Sequence, residues 1–185
     1  MPDARSPLAM RIIEANPNAY HCLVVESDTP AVAHQLLDGV RPEQLLADPK
    51  NSTADAKAML AGLWLWHDGL DESHRISQTL ETPNGKFWHA IMHRREGDFS
   101  NSKFWYASAG HHPVLATLAA KAGPMIGAAP ADNRLLRLIL NGWHPAAFVD
   151  LVEAAWHHPA DSLHSMAVQL QKLEWQILFE HCARG

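Results

Sequence analysis

Cysteine is nearly absent: 185 residues hold two, Cys22 and Cys182, near opposite ends and in no C-x-x-C pair. That spacing excludes a disulfide framework, a zinc ribbon and dithiol redox chemistry, leaving reduced buried thiols or one bridge between the ends. Long apolar runs are missing too. No stretch of about 18 apolar residues exists, and the start, MPDARSPLAMRIIEANPNAY, has no apolar core of a signal peptide, so the expectation is a cytoplasmic chain that makes no membrane contact. Charge is modest, 19% of residues with a formal net of −5, which disfavours nucleic acid as a partner. Glycine-rich phosphate loops, dinucleotide fingerprints and serine nucleophile elbows are all lacking. So is the repeated period-2 alternation that a nucleotide-binding α/β sheet requires; only Tyr20, Cys22 and Val24 alternate, with no second run to pair with, and 19–25 is read as helix or irregular chain.

What is present is apolar content of 47%, twelve prolines spread as punctuation, thirteen histidines and seven tryptophans. A chain of this length buries roughly 70% of its unfolded surface in one core. Helix signals recur along it: Ser6-Pro7, Thr29-Pro30 before AVAHQLLDG, Arg41-Pro42, Ser52-Thr53, Thr82-Pro83, Asp98 or Ser100 before NSKFWYASAG, His112-Pro113 before VLATLAAKAG, and Asp161 before a final helix to about Cys182. Further helices are expected near 131–140 and 145–157, and GPMIGAAPADN is the most loop-like stretch. The fold predicted is all-α: a compact single-domain multi-helix bundle with a central antiparallel helix pair, the first fifty residues being a possible N-terminal helical appendage.

Six of the histidines and four of the tryptophans fall between residues 60 and 113. At about 100° per residue, Leu60, Leu63, Trp64, His67, Asp71, His74 and Gln78 share one stripe, with a potential break at Gly69. After the Thr82-Pro83-Asn84-Gly85 turn, His89, His93 and Glu96 stand at i, i+4 and i+7, backed by Phe87 and Ile91. Rings at i and i+4 lie on adjacent helical turns, and that lets two imidazoles chelate one ion. If the two files converge, His67, Asp71, His74, His89, His93 and Glu96 form a pocket for a divalent cation: zinc with about four ligands, or manganese, iron or nickel with more. Arg94, Arg95 and Lys103 are candidates to hold a small anionic ligand, and Glu174, beside His181 on the inward side of the last helix, a candidate base or extra ligand. A buried carboxylate there needs a histidine, an arginine or a metal beside it. The competing reading is a metal-free, non-catalytic core in which rings and carboxylates satisfy one another, with the arginines on a solvated face or paired to Glu96 and Asp98, and His111-His112 and His157-His158 at helix C-termini.

Two resemblances bear on function. LWLWHDGLDESH resembles the metal-binding helix of the histidine-aspartate phosphohydrolases, which implies a metal on His67 and Asp68, an earlier histidine at His34 and a later aspartate at Asp132 or Asp150. WHAIMHRREGDFSNSKFWYASAGHHPV resembles a family of uncharacterised bacterial and fungal proteins with the string W-H-x-x-M-H-R-R-E-x-D-x-x-N-x-K. That likeness runs back through LWLWHDGLDESHRISQ and forward to PAAFVDL and LEWQILFEHC, leaves the first fifty residues outside, and brings no activity, cofactor or catalytic residue with it.

Overall fold

The computed structural model describes residues 5–48, 52–127 and 134–185. Among them are ten α-helices: α1 (Pro7–Glu14), α2 (Ala31–Leu37), α3 (Thr53–Trp66), α4 (Leu70–Ser77), α5 (Pro83–Arg95), α6 (Phe99–Ala109), α7 (Val114–Ile126), α8 (Arg134–Leu140), α9 (Pro145–Trp156) and α10 (Ser162–Arg184), with a single 3-10 turn at Pro42–Leu45. The described residues contain no strand, only an isolated bridge between Arg5 and Leu46. The fold is all-α, and no described helix is long and apolar enough to cross a membrane.

Side-chain caps begin most of the helices that matter. Ser6 Oγ accepts from the Ala9 amide at 3.1 Å, Thr82 Oγ1 from Gly85 at 3.2 Å, Asp98 from Asn101 at 3.1 Å and Asp161 from Leu163 at 3.0 Å, each satisfying an amide that the first turn leaves without a partner. Thr29 departs from expectation. α2 starts without a side-chain cap, and the Thr29 hydroxyl donates instead to Glu72 Oε2 at 2.7 Å.

α3, α5 and α10 meet at the centre. Gly62 allows this approach, since a Cβ there would stand 2.7 Å from the Trp88 ring, and its carbonyl accepts from Trp175 Nε1 at 2.7 Å. Tyr20, Leu23, Leu37 and Leu45 are buried in the same core, and Val25 N donates to Arg95 O at 2.7 Å. The N-terminal segment is therefore built into the core instead of being appended to it. Both cysteines are free.

Two local outcomes bear on the sequence reading. The stripe from Leu60 to Gln78 breaks beside Gly69, where a break was possible: α3 ends at Trp66 with His67 as its cap, Asp68 takes φ 61°, and α4 restarts after Gly69. Aspartate tolerates this left-handed backbone, and at Gly69 a Cβ would meet the Trp64 ring at 2.7 Å. α7 runs through Gly123 and Pro124 to Ile126; Pro124 is exposed and forgoes one helical hydrogen bond near the end of the helix. The remainder of the stretch read as a loop, 128–133, lies outside the described residues.

Candidate metal centre

The site is assembled on α5. Thr82 and Pro83 fix its start, Phe87, Trp88 and Ile91 are fully buried, and the i, i+4 register then places His89 and His93 one above the other. Their rings stack at 4.6 Å and 24°, with the two Nε2 atoms 3.0 Å apart. α4 brings His74 across, its ring 4.9 Å from that of His89 and 5.4 Å from that of His93. One ligand atom from each of the three lies within 4.8 Å of the others. Metal–nitrogen bonds of about 2.0–2.1 Å in a tetrahedron place neighbouring ligand nitrogens about 3.3–3.4 Å apart, so an ion would replace the His89–His93 hydrogen bond at 3.0 Å with a shift of a few tenths of an ångström.

The surroundings of His89 favour its neutral ring. Burial first, then the nearby His93 and His74, push the His89 pKa down to about 4, so this ring carries no proton charge at pH 7 and offers a lone pair. Glu96 Oε1 meets His93 Nδ1. A proton on Nδ1 donated to this carboxylate leaves Nε2 free, the carboxylate–histidine arrangement that orients metal ligands. His89 Nδ1 is buried without a partner. From α6, Trp105 stacks on His89 at 4.1 Å, and the Asn101 carboxamide nitrogen stands 3.1 Å from His93 Nε2 and 3.3 Å from Nδ1. His89 and His93 are buried, His74, Asn101 and Trp105 half-buried, and Glu96 exposed at the rim.

A second group, His93, Glu96 and Asp98, shares His93. Its carboxylates already have work: Asp98 caps α6, and the Asn101 amide, then Ser100, hold its carboxyl below the usual range.

The other expected site residues are dispersed, and the break at 67–69 is the main cause. His67 turns back to the N-terminal segment, its Nε2 donating to Ile12 O at 3.0 Å, and burial lowers its pKa. Asp71 is exposed and lines a separate polar cleft of about 370 Å³ with His34, Asp68, Glu72 and Thr29. Neither joins the three-histidine group.

The arginines point inward. Arg94 donates to Glu174 Oε2 and to the Tyr106 hydroxyl, each at 2.5 Å, and Tyr106 donates to Glu174 Oε1 at 2.9 Å. Phe148 covers the guanidinium at 4.6 Å. Arg94 and Glu174 are fully buried; burial works against the Arg94 charge, but Glu174 and then Tyr106 outweigh it and raise the pKa. Arg95 donates to Leu65 O at 2.7 Å and to Asp68 at 2.8 Å, beneath the Tyr20 ring at 4.0 Å. Lys103 pairs with Asp150 nearer the surface. These groups hold interior charge balance, and the places expected for anion binding (Arg94, Arg95, Lys103) and for a base (Glu174) are taken up by protein partners.

The histidine-aspartate set does not converge either. His34, His67 and Asp68 form no three-ligand group among the described residues, Asp150 is on Lys103, and Asp132 lies outside the described residues. Asn101 and Trp105 are the site residues that the sequence reading passed over. Their i, i+4 spacing on α6, starting three residues after the Asp98 cap, was the available signal.

No family model, curated protein or solved structure matches the chain.

Proposed function

We propose that the protein holds a divalent metal ion through His74, His89 and His93 and uses its remaining coordination position for hydrolase-like chemistry or for binding a small anion. The observation that carries this reading is the meeting of three imidazole nitrogens from two helices within 4.8 Å, with Glu96 set to fix the His93 tautomer. Three neutral imidazoles leave the full double positive charge of the ion uncompensated, which lowers the pKa of a bound water toward 7 and attracts hydroxide or an anion. An all-nitrogen set suits zinc, nickel or iron better than manganese.

Elemental analysis of protein purified without an affinity tag, after growth with each metal in turn, is the test. The expected result is close to one ion per chain, lost in His89→Ala and in His93→Ala. Occupancy near zero with every metal would end the proposal.

A second reading, a metal-free polar histidine core in a non-catalytic binding protein, is favoured by His67 and His112, whose rings are used as interior hydrogen-bonding groups toward Ile12 O and Asn84 Oδ1. Under it, zinc leaves the melting temperature unchanged.

A further inference from the structure

The Asn101 carboxamide has a position that the three rings alone do not explain. Its nitrogen is almost equidistant from both nitrogens of His93, 3.1 and 3.3 Å. An atom on either lone pair would be far nearer one nitrogen than the other, so the amide lies over the face of the ring. His93 Nε2 faces His89 Nε2 at 3.0 Å, so an ion shared by the two rings would have the Asn101 amide beside it, over the face of His93. A half-turn of the carboxamide exchanges its N–H donors for its carbonyl acceptor, so the group can serve water, hydroxide or an anion. The residue itself is fixed, because its backbone amide is bonded to the Asp98 cap at 3.1 Å.

The rest of the wall limits what fits. Trp105, one turn further along α6, covers His89 from the same side. At the solvent rim stand Glu96 and Asp98, which repel multiply charged anions.

Building on the metal reading above, we infer that Asn101 is the second hold on whatever occupies the open position of the ion, and that this occupant is small and carries at most one negative charge. The class is water or hydroxide with a small neutral electrophile, or a monoanion, and not a phosphate monoester.

The test uses the full chain loaded with cobalt(II), titrated with azide and separately with inorganic phosphate, and read by visible absorption. Azide is expected to bind more tightly than phosphate. Asn101→Ala is expected to take up cobalt within about threefold of wild type and to bind azide about tenfold more weakly, the size of one lost hydrogen bond. Asn101→Asp, which keeps the shape and adds a negative charge, is expected to bind cobalt more tightly and to exclude azide. Cobalt uptake with an azide affinity indifferent to residue 101, or phosphate binding tighter than azide, would overturn this inference alone. Failure of wild type to take up cobalt would overturn the metal reading as well.

Discussion

His112 and His93 are both buried histidines, and their surroundings differ: one ring is closed by amide and backbone partners, the other sits in a three-histidine group that could hold a metal. His112 Nε2 donates to Asn84 Oδ1 at 2.8 Å, Asn84 Nδ2 donates to Asp55 Oδ1 at 2.5 Å, and His112 Nδ1 accepts from Val114 N at 3.4 Å. Every nitrogen there has an ordinary protein partner of the opposite kind. Around His93 the outer nitrogen meets Glu96, while the inner one is bonded to another imidazole nitrogen, His89 Nε2, at 3.0 Å, with the Asn101 amide nitrogen at 3.1 Å. A ring closed by complementary partners is structural, and three rings with ligand atoms within 4.8 Å of one another could hold an ion.

The closed side of this contrast breaks hardest at the Arg94–Glu174 pair. Glu174→Ala leaves a fully buried guanidinium without its carboxylate and is expected to cost about 3–5 kcal/mol, measured by urea unfolding; a cost below about 1 kcal/mol would mean that the pair is not closed. On the open side, zinc at a hundred times its dissociation constant should stabilise the fold by about 2.7 kcal/mol, a rise of roughly 5–10 °C for a domain of this size. The rise should vanish in His89→Ala and persist in His112→Ala, so scanning calorimetry of the three proteins sharpens the comparison directly.

Glu96→Gln should weaken zinc about 10–100-fold in a chelator competition, because the neutral amide holds the Nδ1 proton of His93 less strongly. The pH effect is the smallest. Burial, then the neighbouring His181, lowers the His112 pKa to about 4, below an unfolded value near 6.5. The unfolded chain therefore binds more protons in that interval. Stability is fully present above about pH 6.5 and is lost as pH falls toward 4, by about 1–2 kcal/mol after allowance for solvent screening. Melting curves from pH 7 to pH 4 should show the loss in wild type and less of it in His112→Asn.

Much of the helix pattern was legible because it rests on local chemistry: Ser6-Pro7, Thr82-Pro83, Asp98 and Asp161 announce helix starts through short-range bonds that need no knowledge of the fold. The i, i+4 pair His89 and His93 was legible for the same reason. His67 and Asp71 were misplaced because one 100° stripe was carried across the expected break at Gly69; with α3 ending at Trp66 and Asp68 at φ 61°, both leave the file of His74. Glu174 needed a buried partner, and the sequence offered histidine, arginine or metal. The choice of Arg94, 80 residues away, followed from how α5 and α10 pack. Asn101 and Trp105 offered only their i, i+4 spacing as a signal, since an amide and an indole on a helix face are usually packing.

The most direct test of convergence is anomalous diffraction at the zinc edge from crystals grown with zinc. The account predicts one strong peak bonded to nitrogens of His74, His89 and His93, with Glu96 behind His93 and a further light-atom ligand beside Asn101. A peak elsewhere, or three histidines with no peak between them under saturating zinc, would contradict it.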